Sequence, residues 1–211
     1  MLIAFDFDGT LSDSEMTVLL GERRGVATEM TEITERAMND ELAYAESLRR
    51  RCDLLSGLAL DSAAVAFEQV SLRPGAAGVL DALGAAGVET AILTGGFERG
   101  VEAALAGAGT EVDTVVANRL PTADRALTGA VAGPLVEGTK DDALTILQAA
   151  TGETGTVAVG DGANDRPMLE AADLAVGFEP KPAVEPSCDV VVTSMEDLRT
   201  VLETEGILPE P

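Results

Sequence analysis

The chain has 211 residues, 46% of them hydrophobic, with 37 acidic against 14 basic residues and a formal net charge of −23 at pH 7. This length suits one ordinary domain with an insertion, or two small ones, and the charge opposes binding to nucleic acids and anionic membranes. The absence of histidine excludes His-based catalytic triads, His-ligated zinc and imidazole acid–base catalysis, so any chemistry runs on carboxylates, hydroxyls, lysine and bound metal.

The first predicted strand, residues 2–5, is a short apolar run that ends in Asp6-Phe7-Asp8-Gly9-Thr10. Side chains two residues apart in an extended chain point to the same side. Asp6 and Asp8 therefore face one site if the strand persists, or flank it if a turn begins at Gly9. Two crowded carboxylates stay ionised together only beside a cation or strong donors. The pattern predicts a metal site and a nucleophile beside an acid, and the alternative is a solvated surface turn.

Residues 14–71 are predicted to be helical. Apolar residues recur every three to four positions over residues 15–24, 29–55 and 61–70, and there is no strand-like alternation. We therefore expect a small α-helical cap, residues 14–71, inserted after the first strand. Residues 1–13 and 72–211 are expected to form the core domain.

Strands and helices alternate over the rest of the chain. The predicted strands are residues 88–93, 114–117, 156–159, 174–176 and 190–192. The predicted helices are residues 76–86, 98–106, 141–150, 166–172 and 195–203. Residues 118–137 are rich in turn formers and are expected to form a short hairpin or an irregular excursion. The alternation predicts an α/β fold with a Rossmann-like parallel sheet covered on both faces.

Three of the predicted strands end in small polar clusters. These clusters are Asp6/Asp8/Thr10, Thr94/Gly95/Gly96 and Asp161/Asn164/Asp165. Ligands of open parallel sheets bind in the crevice beyond the carboxyl ends of the strands. We therefore expect the three clusters to form one site.

Four segments together resemble the haloacid dehalogenase-like superfamily of phosphohydrolases: DFDGT, LTGG, Lys140 and GDGANDRPML. Within the superfamily, four segments resemble the phosphoserine phosphatase family: TGGF, VANRL (residues 116–120), GDGANDRPM and AMNDELAYAESLRRR (residues 37–51). This similarity runs along nearly the whole chain. The resemblance implies hydrolysis of O-phospho-L-serine to L-serine and phosphate, the last step of serine biosynthesis, with Mg²⁺ as cofactor.

The resemblance also implies a role for each residue of the phosphoryl site. Asp6 attacks phosphorus and forms an aspartyl-phosphate. Asp8 protonates the leaving alkoxide and then takes a proton from water. Thr94 and Gly95 donate to the phosphoryl oxygens, and Lys140 neutralises the transferring group and steadies Asp6.

The same resemblance assigns the Mg²⁺ site to a carboxylate of Asp6, the backbone carbonyl of Asp8 and Asp161. Asp165 supports this site without itself binding the ion. Asn164 hydrogen-bonds the substrate. The alternative for Asp161 and Asp165 is a structural role in a capped loop between a strand and a helix.

In the cap, the resemblance implies that Glu15 binds the substrate ammonium and Arg51 binds its carboxylate. Arg49 and Arg50 are close rivals of Arg51, and a solvated basic run on a helix is the alternative. Two further residues are expected to pack near the substrate, Met38 and Tyr44. Three positions depart from residues frequent in the family: Gly9 and Thr94 in place of Ser, and Tyr44 in place of Phe.

Two other functions remain open. A relative with these motifs can act on another small phosphomonoester, such as a sugar phosphate or phosphoglycolate, or serve as a catalytically silent binding module. The acidic excess, the presence of only two lysines and the small apolar side chains favour a protein from a high-salt cytoplasm. No apolar run approaches the ~20 residues of a membrane span, so we expect a soluble cytoplasmic protein. The sequence leaves the oligomeric state open.

Overall fold

The computed structural model describes residues 1–38 and 41–209. Strand β1 (Leu2–Phe5) is followed by four helices before the chain returns to the sheet. These helices are α1 (Met16–Arg24), α2 (Ala27–Met38), α3 (Tyr44–Leu54) and α4 (Leu60–Phe67). Among the described helices, none is long and apolar enough to cross a membrane.

Strands and helices alternate in the remainder of the chain, as the sequence predicts. In order they are α5 (Ala76–Ala85), β2 (Glu89–Phe97), α6 (Glu98–Ala108), β3 (Thr114–Asn118), β4 (Thr122–Ala123), β5 (Ala126–Leu127), α7 (Lys140–Thr151), β6 (Thr156–Gly160), α8 (Arg166–Ala171), β7 (Leu174–Phe178), β8 (Val190–Val192) and α9 (Met195–Thr204). A single 3₁₀ turn (Glu185–Ser187) precedes β8. Strands β4 and β5 pair as the expected short hairpin.

Six strands form one parallel sheet in the order β3-β2-β1-β6-β7-β8. The chain adds β2 and β3 on one side of β1 and later adds β6 to β8 on the other side. This reversal of direction opens a crevice at the carboxyl end of β1. In the register, Phe5 lies beside both Ile92 and Val159, so the residues that follow all three strands share one edge. The α/β Rossmann-like architecture is confirmed.

Side chains of the central strands alternate between two buried clusters, one on each face of the sheet. Ile3 and Phe5 belong to the larger cluster, whereas Leu2 and Ala4 belong to the smaller one. The smaller cluster also contains Leu144 of α7 and residues of α8. Since the next residue after Phe5 continues this alternation, Asp6 is directed to the face that α7 covers.

Most boundaries agree with the prediction to within three residues, and two elements differ by more. The helix expected over residues 29–55 is divided into α2 and α3, and the extended backbone of Ala43 (φ −61°, ψ 142°) directly precedes α3. Strand β2 continues through the TGG segment to Phe97, with a shift in its register with β3 between Leu93 and Phe97. The stretch 37–51 includes residues 39–40, and these and the Met38 side chain lie outside the described residues.

Candidate active site

Residues from the ends of β1, β2 and β6 line one cavity of about 660 Å³ together with residues of α1, α2 and α3. From the strand ends it is lined by Asp6, Asp8, Thr94, Gly95, Gly96, Asp161 and Asn164. From the helical segment its lining includes Glu15, Tyr44 and Arg51. The structure therefore brings the ends of the three strands together with Glu15, Tyr44 and Arg51, which the sequence singled out. Thr10 is buried and is not among the lining residues.

Lys140 and Asp165 are buried beneath this lining. The Lys140 side chain is 1% exposed, and its Nζ lies 2.5 Å from Oδ1 of Asp6 and 2.5 Å from Oδ1 of Asp165. Burial works against the lysine charge, but Asp165 and Asp6 together raise the pKa of Lys140, so it stays an ammonium. Burial also raises the pKa of Asp6, and Asp165 adds to this effect while Lys140 opposes it. The buried ammonium thus fixes the carboxylate that follows β1.

Asp165 is saturated with hydrogen bonds. Its Oδ2 accepts from the backbone N–H of Asp161 at 3.0 Å and of Gly162 at 2.9 Å. Its Oδ1 accepts from Lys140 and from Nδ2 of Asn164, the latter at 3.2 Å. Because four donors occupy its two oxygens, Asp165 can hold the loop after β6 in shape but has little capacity left for a further ligand.

The carboxylate of Asp161 packs directly against Gly9. Gly9 has φ +89°, and a Cβ at that position would lie 2.7–2.9 Å from the carboxyl atoms of Asp161. The Asp161 side chain also accepts a hydrogen bond from Nζ of Lys181 at 2.6 Å. The Asp161 carboxylate therefore occupies the space that a side chain at position 9 would take.

Asp8 faces the cavity and is half-buried. Its Oδ1 accepts from the Met16 N–H at 3.3 Å, and a Cβ at Gly96 would lie 2.5 Å from its Oδ2. Burial raises the pKa of Asp8, and the carboxylates of Glu15 and Asp6 raise it further. This environment favours the protonated form of Asp8, which is the form a general acid needs.

The end of β2 presents hydrogen-bond donors to the cavity. The Thr94 hydroxyl accepts from the Gly96 N–H at 2.9 Å, which leaves its own O–H free to donate. The carbonyl of Gly95 is held by Nδ2 of Asn118 at 3.0 Å, and Asn118 Oδ1 accepts from the Leu135 N–H at 3.1 Å. Asn118, within the VANRL segment, therefore links the end of β2 to the backbone of Leu135.

Of the three adjacent arginines, Arg51 reaches the cavity. It is 8% exposed, donates to Oγ1 of Thr17 at 3.0 Å and lies 3.8 Å from Glu15. Arg49 and Arg50 are exposed and form ion pairs with glutamates on the surface. Arg51 is thus the buried arginine of the three and lines the same cavity as the strand ends.

The family of the chain follows from its sequence. The sequence profile of haloacid dehalogenase-like hydrolases matches residues 3–170. The chain belongs to this family.

The most similar relatives of this haloacid dehalogenase-like hydrolase include a phosphoserine phosphatase of Halobacterium salinarum. It is 54% identical over 208 residues, which cover 98% of this chain and 99% of the relative. A phosphoserine phosphatase of Methanocaldococcus jannaschii is 35% identical over 205 residues, or 96% of each chain. A solved structure of a substrate-bound phosphoserine phosphatase complex has a TM-score of 0.89 at 33% identity, covering 96% of this chain and 97% of the other.

In this hydrolase, the carboxylate arrangement fits a divalent cation. Oxygens of Asp6, Asp161 and Asp165 lie within 4.8 Å of one another, and all three residues are buried. Oxygen ligands of this kind suit a hard divalent ion. Since Asp165 is saturated by protein donors, Asp6 and Asp161 are the side chains available to hold the ion.

Sequence reasoning missed the contact of Lys181 with Asp161. Lys181 follows β7, and its backbone N–H donates to the Asp161 carbonyl at 2.9 Å, which brings its side chain to the cavity. The rarity of lysine could have pointed to this residue, because Lys140 and Lys181 are the only lysines in the chain. Both lysines contact carboxylates of the site.

Proposed function

We propose that the chain is a phosphoserine phosphatase that hydrolyses O-phospho-L-serine to L-serine and phosphate. The observation that carries this proposal is the pair formed by Glu15 and the buried Arg51, which line the same cavity as Asp6. An amino acid phosphate needs one acidic and one basic partner in addition to its phosphoryl site. The full-length similarity to phosphoserine phosphatases supports the same substrate.

In the proposed reaction, Asp6 attacks phosphorus and forms an aspartyl-phosphate, which water then hydrolyses. Lys140 holds the attacking carboxylate and balances charge beneath it. Asp8 gives its proton to the departing serine oxygen and afterwards removes a proton from the attacking water. The raised pKa of Asp8 supports its role as the initial acid.

We propose Mg²⁺ as the resident ion, held by Asp6, the backbone carbonyl of Asp8 and Asp161. When bound, it supplies positive charge that offsets the repulsion between an anionic nucleophile and an anionic phosphate. Asp165 keeps its proposed supporting role because its hydrogen bonds orient the Asp161 loop.

The proposed substrate orientation places its phosphoryl group at Thr94 and Gly95 and its amino acid end toward the helices. Glu15 binds the ammonium, and Arg51 binds the carboxylate. Asn164 lines the cavity beside the strand ends and donates to the substrate. These assignments use the free donor capacity of Thr94 and the burial of Arg51 described above.

We also propose that residues 14–71 act as a cap domain over a core of residues 1–13 and 72–211. Helices α1, α2 and α3 contribute side chains to the cavity. The described part of residues 14–71 contributes no strand to the six-stranded sheet. A cap of this kind admits substrate and then limits the access of bulk water. The net charge of −23 supports a high-salt cytoplasm as the working environment.

A phosphate-release assay tests the proposed function. The purified chain, in molar KCl with Mg²⁺, should release phosphate from O-phospho-L-serine faster than from phosphoglycolate or glucose 6-phosphate, and chelation of the metal should stop the release. Asp6→Asn should abolish turnover and the acid-stable labelling of the protein by ³²P-phosphoserine. A preference for phosphoglycolate or a sugar phosphate would replace the proposed substrate, and full activity of Asp6→Asn would refute the nucleophile.

A further inference from the structure

Tyr44, the first residue of α3, brings a phenol hydroxyl to the end of β2. The side chain lines the cavity, and a Cβ at Gly95 would overlap its hydroxyl oxygen. On another side, a Cβ at Gly138 would lie 3.3 Å from Cδ1 of the ring. The ring therefore occupies a slot between two glycines, with its hydroxyl directly over the backbone of Gly95.

The hydroxyl stays a neutral donor at this position. Burial raises the pKa of Tyr44 to about 12, against the opposing effects of Lys140 and Arg51. A neutral phenol presents one O–H to an acceptor and brings no negative charge near a phosphate. At neutral pH, the Tyr44 side chain is thus suited to bind an anion.

We propose that Tyr44 donates a hydrogen bond to a nonbridging oxygen of the substrate phosphoryl group. It is a further binding residue for the reaction, beside the Thr94 hydroxyl and the Gly95 N–H. The inference rests on the proposed function and extends it, because it assigns a chemical role to a hydroxyl that a phenylalanine at this position lacks.

The position of Tyr44 on α3 decides which end of the substrate it contacts. Tyr44 and Arg51 are seven residues apart, so they lie on the same face of the helix about two turns, or ~10 Å, from each other. Arg51 lies beside Glu15, whereas Tyr44 lies over Gly95 at the phosphoryl end. Helix α3 therefore presents a phenol to the phosphoryl group and a guanidinium to the carboxylate.

The variant Tyr44→Phe removes only the hydroxyl and tests the proposal. We expect kcat/KM to fall about tenfold, the effect of one lost hydrogen bond to a charged group. The loss should be equal for O-phospho-L-serine and for O-phosphoethanolamine, which has no carboxylate. Affinity for inorganic phosphate, measured by calorimetry with Mg²⁺ present, should fall by a similar factor.

Several results would overturn the proposal. Unchanged phosphate affinity in Tyr44→Phe excludes the hydrogen bond, and a loss confined to phosphoserine assigns the hydroxyl to the carboxylate end. If the wild-type chain hydrolyses a different phosphomonoester, the proposed function fails, but the same comparison on that substrate still decides the role of Tyr44. The phosphate calorimetry decides it even if no substrate is turned over.

A double-variant cycle tests the geometry independently. Gly95→Ala places a methyl group where the Tyr44 hydroxyl lies, so phosphate affinity should fall strongly. In the Tyr44→Phe background the same alanine should cause a smaller loss, because the overlapping oxygen is gone. Strictly additive losses would mean that the hydroxyl does not lie over Gly95 in solution, and the proposal would be wrong.

Discussion

The Lys181 ammonium donates to Oδ2 of Asp161 at 2.6 Å, so a cation of the chain itself lies beside a carboxylate proposed to hold Mg²⁺. Its side chain is 37% exposed, so solvent screens its charge. Among the described residues, this contact is the only salt bridge of Asp161. Lys181 therefore offsets part of the negative charge of the carboxylates in the metal-free protein. Its own positive charge repels a metal ion that binds there.

Replacing Lys181 by methionine should tighten Mg²⁺ binding about tenfold. An ammonium ~5 Å from a divalent ion opposes binding by about 1–2 kcal/mol even at the dielectric constant of water. Calorimetric titration of the purified variant with Mg²⁺ measures the change. Lys181→Arg keeps the charge and serves as the control with near-wild-type affinity. Weaker Mg²⁺ binding in Lys181→Met would show that the lysine chiefly orients Asp161.

Gly9→Ala should shift the Asp161 carboxylate, weaken metal binding at this site and lower activity. The added Cβ would meet the Asp161 carboxylate at 2.7–2.9 Å and displace it. Gly25→Ala is the matched control, because Gly25 has a similar φ of +78° and no atom within 4 Å of the added Cβ. Both variants should lose about 1–2 kcal/mol of stability through the left-handed backbone. Equal activity in the two variants would contradict the proposed contact.

The location of the site was predictable because it depends on local signals. Apolar runs that end in glycine and aspartate mark the strand ends, and parallel strands bring these ends to one edge. Phe5 pairs with Ile92 and Val159 in the sheet, so the residues that follow the three strands do lie at one edge. Which arginine enters the cavity depends instead on the rotation of α3 about its axis. Three adjacent arginines do not reveal this rotation, because each faces a different side of the helix.

The contacts that were not predicted depend on distant parts of the chain. Lys181 reaches Asp161 because the segment after β7 folds back over the loop after β6, a packing that no spacing in the sequence records. The division of the expected 29–55 helix has a similar cause. Helical periodicity continues on both sides of Ala43, and only the backbone conformation there reveals the break.

Arg51→Ala should lower kcat/KM for O-phospho-L-serine about 100-fold, because it removes a buried cation opposite Glu15. For O-phosphoethanolamine, which has no carboxylate, the loss should be far smaller. Arg50→Ala is the control on the same helix, since Arg50 is exposed and paired with Glu46. Steady-state kinetics on both substrates separates the effects, and equal losses on the two would refute the carboxylate assignment.

Asp8→Asn should stabilise the metal-free protein at neutral pH. An unfolded Asp titrates near 3.9, whereas burial, Glu15 and Asp6 raise the pKa of Asp8 in the folded state. The folded protein therefore binds more protons between these two pKa values, and its stability falls as pH rises through that window. Denaturant titrations with chelator at pH 7 and near pH 4 should show a gain for the variant only at pH 7. Asp13→Asn, at an exposed position, should show no such difference. A gain that persists at pH 4 would mean that the charge of Asp8 is not what destabilises the folded protein.

Stability should rise with KCl because the chain carries 37 acidic against 14 basic residues. Their mutual repulsion opposes the compact state, and the screening length falls from ~10 Å at 0.1 M salt to ~3 Å at 1 M. For a chain of this size, each kcal/mol gained raises Tm by about 2–4 °C. Calorimetric scans from 0.1 to 3 M KCl measure the effect. Glycine betaine at equal osmolality is the control, because it is excluded from protein surfaces without screening charge. An equal gain in betaine, or no gain in KCl, would exclude charge screening as the source of stability.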